Sequence, residues 1–383
     1  MSPITRAFSG AQIFDGADLC DGLALMAHAD GRFAVLPEQA VPDGCPVEEL
    51  RGGILAPGFV DLQVNGGGGV MFNDAPSADT LRRIAEAHAE LGTGALLPTL
   101  ITDSPQATRT AIDAVGQAVA EGVAGIAGLH LEGPHLSVAR KGAHDAALIR
   151  PMEHNDLALL LKAAGQLPNL MVTVAPENVT LAQITAMADA GIIVSLGHTD
   201  ADMATCHAAF DAGARCVTHL FNAMSQLGSR APGLVGATLE REEVFAGLIA
   251  DGVHVHPATI RIALAAKPRL ERVFLVTDAM ASAGSQIETF TLGGREIHRK
   301  HGRLTLTDGT LAGADLAMAQ AVARMARDVG DTPAQALARA ITTPASLLRE
   351  GGVGQFGAAP AIYIKDIGQP DPQLRLLRPT EGD

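Results

Sequence analysis

Four residues able to take part in metal-assisted chemistry stand at the polar ends of short apolar runs. The runs are Gly128–Glu132, Ile193–His198, Cys216–His219 and Val273–Asp278. Each has the length of a β-strand and is followed by a turn or helix signal. Glu132, His198 and His219 form a ligand set typical of catalytic zinc, with the next coordination position open for water. Asp278, which has no ligand role, is suited to act as a general base. Together they predict a metal-assisted hydrolase.

From residue 54 onwards, strands and helices alternate, and this alternation could bring the four residues together. Predicted strands begin near residues 54, 95, 125, 170, 192, 216, 244 and 272. Eight strands alternating with helices predict an α/β fold, the (β/α)8 TIM barrel. Catalytic groups of such barrels lie at the C-terminal ends of the strands, where all four residues fall. A lone histidine at a strand end is most often structural, but four such placements on one rim favour a shared metal site.

The two ends of the chain have a different pattern. Short strands punctuated by Gly, Asp and Pro precede residue 54, and the segments 361–365 and 374–377 return to strand character. We therefore predict a small β-sandwich domain formed by residues 1–53 and 350–383, beside a barrel of residues 54–349. Within the barrel, residues 288–307 predict a β-hairpin insertion.

Composition excludes several classes of partner. The chain has 383 residues, is 47% hydrophobic and carries a formal net charge of −14. Without a Lys/Arg block it offers no face for nucleic acid, although a small anionic ligand needs only one or two cations. No run approaches about 18 consecutive apolar residues, so no membrane span is expected. Four cysteines without a CxxC pair, and an N-terminus without a signal-peptide pattern, predict reduced thiols in a cytoplasmic protein.

The first barrel strand bears on the number of metals. Many barrel hydrolases carry His-x-His there, whereas this chain has Gln63 and Asn65 at the same spacing. Carboxamides are poor zinc ligands, so we expect one tightly held divalent metal and hydrogen bonding by these amides in the barrel mouth. The run Gly66–Gly69 follows. It lacks the Lys-Ser/Thr ending of a phosphate-binding P-loop and is interpreted as backbone passing close to the site.

Other polar residues on the predicted loops have two possible interpretations. His144 could contact a substrate or polarise a carbonyl, or could be a surface residue. Arg230 and His254 are candidate anion contacts, because arginine matches phosphate oxygens with two parallel bonds, but both could be solvated loop residues. His130 and His135 flank Glu132 and receive no ligand role, and His130 could point into the barrel.

Taken together, these segments resemble the N-acetylglucosamine-6-phosphate deacetylase family of the amidohydrolase superfamily. Gln-x-Asn in the first strand is a pattern of the single-metal members. The matching stretches follow in order over essentially the whole chain and are 56–66, 130–135, 141–144, 196–199, 218–224, 251–254, 277–280 and 311–313.

The resemblance implies a role for each matching residue. Glu132, His198 and His219 would hold one divalent metal, usually zinc, and Asp278 would be the catalytic acid and base. His144 would contact the sugar and the transition state. The remaining substrate contacts would be Asn222, Ala223, Arg230 and His254 at the 6-phosphate, Ala312 and Gly313 at the acetyl group, and also Ala143 and Leu311.

The resemblance further implies a phosphorylated amino sugar as substrate, hydrolysed to acetate and glucosamine 6-phosphate. It also implies a homodimer in which phosphate-side residues cross the interface. Two alternatives stay open. A related barrel amidohydrolase could act on another acylated amine, such as N-acetylgalactosamine 6-phosphate or a cyclic amide, although Arg230 and His254 would have little purpose with an uncharged substrate. A non-catalytic binding protein on a decayed barrel is disfavoured by the retained ligand set and Asp278.

Overall fold

A computed structural model of the chain describes residues 2–349, 351–357 and 360–379. The strands in chain order are β1 (Ile4–Ser9), β2 (Gln12–Phe14), β3 (Leu19–Cys20), β4 (Leu23–His28), β5 (Phe33–Pro37), β6 (Val47–Glu49), β7 (Ile54–Pro57), β8 (Phe59–Val64), β9 (Gly66–Gly67), β10 (Val70–Met71), β11 (Thr93–Ile101), β12 (Leu129–Glu132), β13 (Leu170–Val174), β14 (Ile193–Leu196), β15 (Cys216–Val217), β16 (Phe245–Leu248), β17 (Val273–Leu275), β18 (Thr289–Leu292), β19 (Arg295–Lys300), β20 (Arg303–Leu306), β21 (Ala361–Lys365) and β22 (Gln373–Leu377).

The α-helices are α1 (Ala78–Glu90), α2 (Pro105–Ala120), α3 (His154–Ala164), α4 (Leu181–Asp189), α5 (Met203–Asp211), α6 (Gly233–Glu240), α7 (Pro257–Ala266), α8 (Met318–Arg324), α9 (Pro333–Ala340) and α10 (Thr342–Ala345). Short 3₁₀ turns cover Glu38–Ala40, Val138–Arg140 and Leu270–Arg272, and α8 continues into a π-helical turn over Met325–Val329.

Eight parallel strands form the barrel in the order β8, β11, β12, β13, β14, β15, β16 and β17, each paired with the next. The seam between the first and last strands closes just beyond β17. There Val64 bridges Ala279, and the Asp278 amide donates to the Gln63 carbonyl oxygen at 3.0 Å. The predicted (β/α)8 fold is confirmed, and the C-terminal strand ends meet at one mouth.

Helix α1 illustrates how the outer layer is encoded. Ser77 caps the helix by accepting a hydrogen bond from the Thr80 amide, and Leu81, Ile84 and His88 face the barrel. These buried positions recur at the helical spacing of three and four residues, whereas the opposite face is charged. Burying each large aliphatic side chain contributes about 1.5–3 kcal/mol, so the amphipathic face holds the helix against the strands.

Two further sheets contain strands from the chain ends. One has the order β5, β4, β1, β6, and the other has the order β22, β21, β7, β2, β3. The second sheet joins C-terminal strands to N-terminal ones, as the patterning of both ends predicts. The division into domains at residues 53 and 350 stays a prediction, and residue 350 lies outside the described residues.

The first predicted barrel strand, beginning near residue 54, is wrong in its start, because β7 belongs to the five-stranded sheet and only β8 to the barrel. Gly58 separates them. A Cβ on Gly58 would lie 2.7 Å from the Gly94 Cα, so only glycine allows the backbones to approach this closely as the chain crosses between sheets.

Two other segments differ from what sequence patterns indicate. Helix α6 has no recognisable helical pattern, because its residues from Gly233 to Leu239 are all buried and show no amphipathic periodicity. The predicted hairpin over residues 288–307 is a three-stranded antiparallel sheet of β18, β19 and β20, which we call the inserted sheet.

Cys20, Cys45, Cys206 and Cys216 are all free thiols. Among the described residues, none of the helices combines the length and the apolar character needed to cross a bilayer.

Candidate active site

Three predicted ligands converge at the mouth of the barrel. Glu132 Oε1 lies 3.2 Å from His198 Nε2 and 3.1 Å from His219 Nε2, and the two imidazole nitrogens are 3.0 Å apart. Zinc bonds of 2.0–2.1 Å at tetrahedral angles would separate donor atoms by about 3.3 Å. A single proton cannot satisfy three lone-pair atoms arranged in this way, whereas one divalent cation can. The residues therefore fit a metal centre.

The orientation of His198 agrees with this role. Its Nδ1 lies 2.9 Å from the Arg140 carbonyl oxygen, which can only accept, so Nδ1 carries the proton and Nε2 presents its lone pair. Glu132 is buried, which would raise its pKa. The adjoining rings of His198 and His219 outweigh burial and hold the pKa of Glu132 well below its usual value. The carboxylate is thus ionised and available as a ligand.

Backbone strain concentrates where these side chains enter the mouth. His198, His219 and Asp278 have φ of 47°, 32° and 51°, and Phe221 and Ala223 beyond β15 have φ of 78° and 49°. Non-glycine residues in the left-handed region cost about 1–3 kcal/mol each and persist where the surrounding structure requires them. Here the left-handed turn at the end of each strand directs the side chain across the mouth.

Asp278 is positioned by the two carboxamides of the first barrel strand. Its Oδ1 accepts hydrogen bonds from Asn65 Nδ2 at 2.7 Å and Gln63 Nε2 at 3.2 Å. Gln63 Nε2 also donates to Glu132 Oε1 at 3.1 Å. Burial, and then the negative charge of Glu132, raise the pKa of Asp278 to about 6. Asp278 is therefore a carboxyl whose proton affinity suits acid–base work near neutral pH.

The segment before Asp278 is fixed as well. Asp61, fully buried on β8, accepts hydrogen bonds from the backbone amide and hydroxyl of Thr277. This contact spans the barrel seam, so the first and last strands set the position of Asp278 together.

His144 reaches the metal ligands from the loop after β12. Its ring centroid is 4.3 Å from that of His198, and its Nε2 is 3.8 Å from Glu132 Oε2. Nδ1 lies 2.8 Å from Thr102 Oγ1, whose hydroxyl donates to the Glu132 carbonyl oxygen. Nδ1 must therefore donate, which leaves Nε2 as an acceptor. Burial holds the pKa of His144 well below its usual value, so the ring is neutral at pH 7.

These groups lie in a cleft of about 380 Å³ at the barrel mouth. Except for Arg230, every predicted metal, catalytic and substrate-binding residue lines it: Glu132, Ala143, His144, His198, His219, Asn222, Ala223, His254, Asp278, Leu311, Ala312 and Gly313. A larger cavity of about 750 Å³, lined by His28, Asp30, Arg32 and several glycines, contains none of the predicted site residues.

The side of the cleft near β15 and β16 is more open. His254 Nδ1 donates to Asp251 Oδ2 at 2.6 Å, which orients its ring, and Asn222 and Ala223 are partly exposed. Arg230 is exposed and does not line this cleft.

The neighbouring histidines and the glycine run have structural roles. His130 points into the barrel, where its Nε2 lies 2.8 Å from Thr173 Oγ1, and His135 Nδ1 contacts the Arg150 carbonyl oxygen. Along the run 66–69, a Cβ on Gly67 would lie 2.9 Å from the ring of His88, whose Nε2 holds the Gly66 carbonyl oxygen at 3.0 Å. The glycines thus let this loop pass close against α1.

Sequence patterns missed several residues that shape the cleft. Arg140, Met280 and Leu292 line it, and Thr102 orients His144 from behind. Arg140 precedes the Lys141–His144 stretch, and Met280 ends the stretch 277–280. Their position next to or within stretches that match the family could have identified them as cleft residues. No local pattern pointed to Leu292 or Thr102.

Residues 54–355 match the Amidohydrolase family. The chain belongs to the amidohydrolase family. This amidohydrolase is 43% identical over 324 residues to N-acetylgalactosamine-6-phosphate deacetylase of Shewanella sp. (strain ANA-3), covering 84% of this chain and 82% of the relative. It is 36% identical over 313 residues to N-acetylglucosamine-6-phosphate deacetylase of Haemophilus influenzae, covering 81% of each.

A solved structure extends this likeness to the whole fold. The amidohydrolase is similar to N-acetylglucosamine-6-phosphate deacetylase from Pasteurella multocida, with a TM-score of 0.88 and 34% identity over 95% of this chain and 96% of the other. The similarity thus includes the small sheets as well as the barrel.

Proposed function

We propose that this amidohydrolase removes the N-acetyl group of N-acetyl-D-glucosamine 6-phosphate and yields acetate and D-glucosamine 6-phosphate, in amino-sugar catabolism. The observation that carries the proposal is the convergence of Glu132, His198 and His219 within 3.0–3.2 Å, beside a buried Asp278. The similarity to N-acetylglucosamine-6-phosphate deacetylases, in sequence and in fold, supports the substrate class.

We infer one divalent metal, zinc in view of the His₂Glu donor set, held by Glu132, His198 and His219. Such an ion would supply Lewis-acid activation of water and of the amide carbonyl. A single ion is supported by Gln63 and Asn65, whose amide groups donate to the Glu132 and Asp278 carboxylates at 2.7–3.2 Å. The amide oxygens that remain are poor zinc ligands, so this strand does not offer the imidazoles that would favour a second ion.

Asp278 would move the proton in both halves of the reaction. Both amide donors bind its Oδ1, so Oδ2 is the oxygen available to take a proton from the attacking water. As the water oxygen bonds to the carbonyl carbon, the C–N bond breaks, and the same carboxyl returns the proton to the departing nitrogen. The products are acetic acid and the amine, and the acid proton then passes to solvent or to the amine, which leaves acetate. The strained turn at Asp278 and its bonds to Gln63 and Asn65 hold the carboxyl in place for both transfers.

His144 would position the sugar. Because its Nδ1 donates to Thr102, the neutral ring offers Nε2 as an acceptor, which suits a sugar hydroxyl beside the reacting amide. Stabilising a developing oxyanion would require the protonated ring, and burial opposes this. The contact with the sugar is thus the part of its proposed role that the geometry supports best.

The phosphate would lie at the open side of the cleft. Asn222, Ala223 and His254 line that side, and the hydrogen bond from His254 Nδ1 to Asp251 fixes the orientation of the His254 ring. Arg230, exposed on the loop after β15, would complete the site from a second subunit of a homodimer. A cytoplasmic location, in line with four free thiols, belongs to the same proposal.

A second candidate substrate is N-acetylgalactosamine 6-phosphate. The relative of that name is 43% identical to this chain, against 36% for the Haemophilus influenzae N-acetylglucosamine-6-phosphate deacetylase. Both substrates present the same acetamide to the metal ligands and differ at one sugar hydroxyl.

Acetate release from a substrate panel tests the proposal. The panel holds both N-acetylhexosamine 6-phosphates and their unphosphorylated forms, with protein of measured metal content. We expect release from at least one 6-phosphate, with the gluco form preferred, and much slower release from the free sugars. A preference for the galacto form would select the second candidate. No release from either phosphate would contradict both.

A further inference from the structure

The inserted sheet is the feature that the proposed chemistry leaves unused. It follows the last barrel strand, and β18 and β19 meet at a two-residue turn of Gly293 and Gly294, with φ of 55° and 76°. Leu292 and Arg295 are paired on either side of this turn. The tip of the inserted sheet therefore places one apolar and one cationic residue together.

Leu292 forms part of an apolar wall of the cleft. It is 3% exposed and belongs to a cluster with Ile101, Met280 and Ala312, against which Ala143 packs. All five residues line the cleft. Because the remainder of this cluster joins the inserted sheet to the barrel, the sheet contributes its tip directly to the surface that a ligand would meet.

This wall is formed partly by the elements that carry the reacting groups. Ile101 is the register partner of Glu132, and Met280 follows Asp278 by two residues. Gly313 packs against Met280 and the backbone of Asp278. A Cβ on Gly313 would lie 2.4 Å from Met280 Cγ and 2.8 Å from the Asp278 carbonyl oxygen. An apolar substituent on the reacting carbonyl would therefore meet the wall that contains Leu292.

Arg295 ties the tip to the catalytic loop. Its Nη2 donates to the carbonyl oxygen of Ala143, the residue before His144. At its base the inserted sheet is held by Arg299, which pairs with Asp315 at 2.9 Å and donates to the Ser285 carbonyl oxygen at 2.8 Å. Two arginines thus hold the inserted sheet, and with it Leu292, in place. Arg299 acts at the base of the sheet and Arg295 at its tip.

We propose that Leu292 limits the length of the acyl group that the enzyme accepts, and that Arg295 is a positioning residue that holds Leu292 and the His144 loop in register. The proposal rests on the proposed deacetylase function. It assigns acyl selectivity to the inserted sheet and not to the barrel strands that carry the metal ligands.

The test compares kcat/KM for N-acetyl, N-propionyl and N-butanoyl forms of the preferred hexosamine 6-phosphate. In Leu292→Ala we expect the ratio of butanoyl to acetyl hydrolysis to rise at least tenfold, since each methylene in an apolar pocket changes selectivity roughly 10–200-fold. Leu292→Val, a milder change, should shift the ratio in the same direction. The matched control is Leu304→Ala, which removes a buried leucine of the same cluster that does not line the cleft.

Arg295→Gln should also raise the ratio and lower kcat for the acetyl substrate, and Arg295→Lys should restore part of both. Arg303→Gln, at an exposed arginine of the same sheet, is its control. An unchanged acyl ratio in both Leu292 variants, with acetyl hydrolysis retained, would overturn the inference. An equal rise in Leu304→Ala would also overturn it, because the effect would then come from general loosening. A wild-type enzyme inactive on acetyl substrates would instead remove the proposed function.

Discussion

The two sides of the cleft are built differently. On the reacting side, Glu132, His198, His219 and Asp278 are 3%, 4%, 4% and 9% exposed, and each side chain bonds to others from different strands. On the phosphate side, Asn222 and Ala223 are partly exposed, the His254 ring packs against Asp251, and Arg230 is exposed and does not line the cleft.

This difference separates chemistry from recognition. Strand ends joined by parallel pairing leave the reacting groups little freedom, so one chain suffices to assemble them. Loops after β15 and β16 carry the recognition groups, and loops tolerate change more readily than strands do. We therefore expect substitutions on the reacting side to abolish turnover, and substitutions on the phosphate side to alter which substrate is used.

Asp278→Asn should have the largest effect. The asparagine side chain keeps the shape of the aspartate, and its amide oxygen can still accept a hydrogen bond from Asn65. The amide cannot, however, take a proton from water. A general acid–base group contributes about 10²–10⁴-fold to the rate. Because Asp278 serves two proton transfers, kcat should fall by at least this factor. Metal analysis of the same sample should show unchanged content. Near-normal turnover would place the proton acceptor elsewhere.

Arg230→Ala should affect only phosphorylated substrates. A charge-assisted hydrogen bond contributes about 1.5–3 kcal/mol, so its loss should lower kcat/KM for the 6-phosphate at least tenfold and leave the unphosphorylated sugar almost unchanged. Arg109→Ala, at an exposed arginine on α2, is the control. An equal loss on both substrates would show that Arg230 supports folding or assembly. The proposed division of the cleft into a reacting side and a phosphate side would then be wrong.

Asn65→Ala should have the smallest effect, a shift in the pH dependence of kcat/KM. The hydrogen bond from Asn65 lowers the pKa of Asp278, which burial raises to about 6. Asp278 must be ionised to accept a proton, so activity falls as pH drops through its pKa. Removing Asn65 raises that pKa, and the acidic limb of kcat/KM should move to higher pH. A limb that stays in place would show that Asn65 does not tune Asp278.

The reacting side was largely predictable from sequence. Glu132, His198, His219 and Asp278 each end an apolar run, and parallel strands in a barrel necessarily bring such ends to one mouth. Helix α6 was not predictable, because a helix buried on every side has no amphipathic pattern.

Contacts between distant loops were also beyond sequence patterns. Thr102 orients His144 across 42 residues, and Leu292 reaches the cleft through the packing of the inserted sheet. The position of Arg230 outside the cleft depends on a loop whose conformation no local pattern specifies. Such features follow from tertiary packing and not from local periodicity.

Metal titration tests the central claim most directly. Protein stripped by a chelator is reconstituted with zinc in steps, and acetate release from N-acetyl-D-glucosamine 6-phosphate is measured against bound metal. We predict almost no release from stripped protein, a linear rise to one equivalent per chain, and a plateau beyond it. Full activity without metal, or a rise continuing to two tightly bound equivalents, would contradict a single-metal site formed by Glu132, His198 and His219.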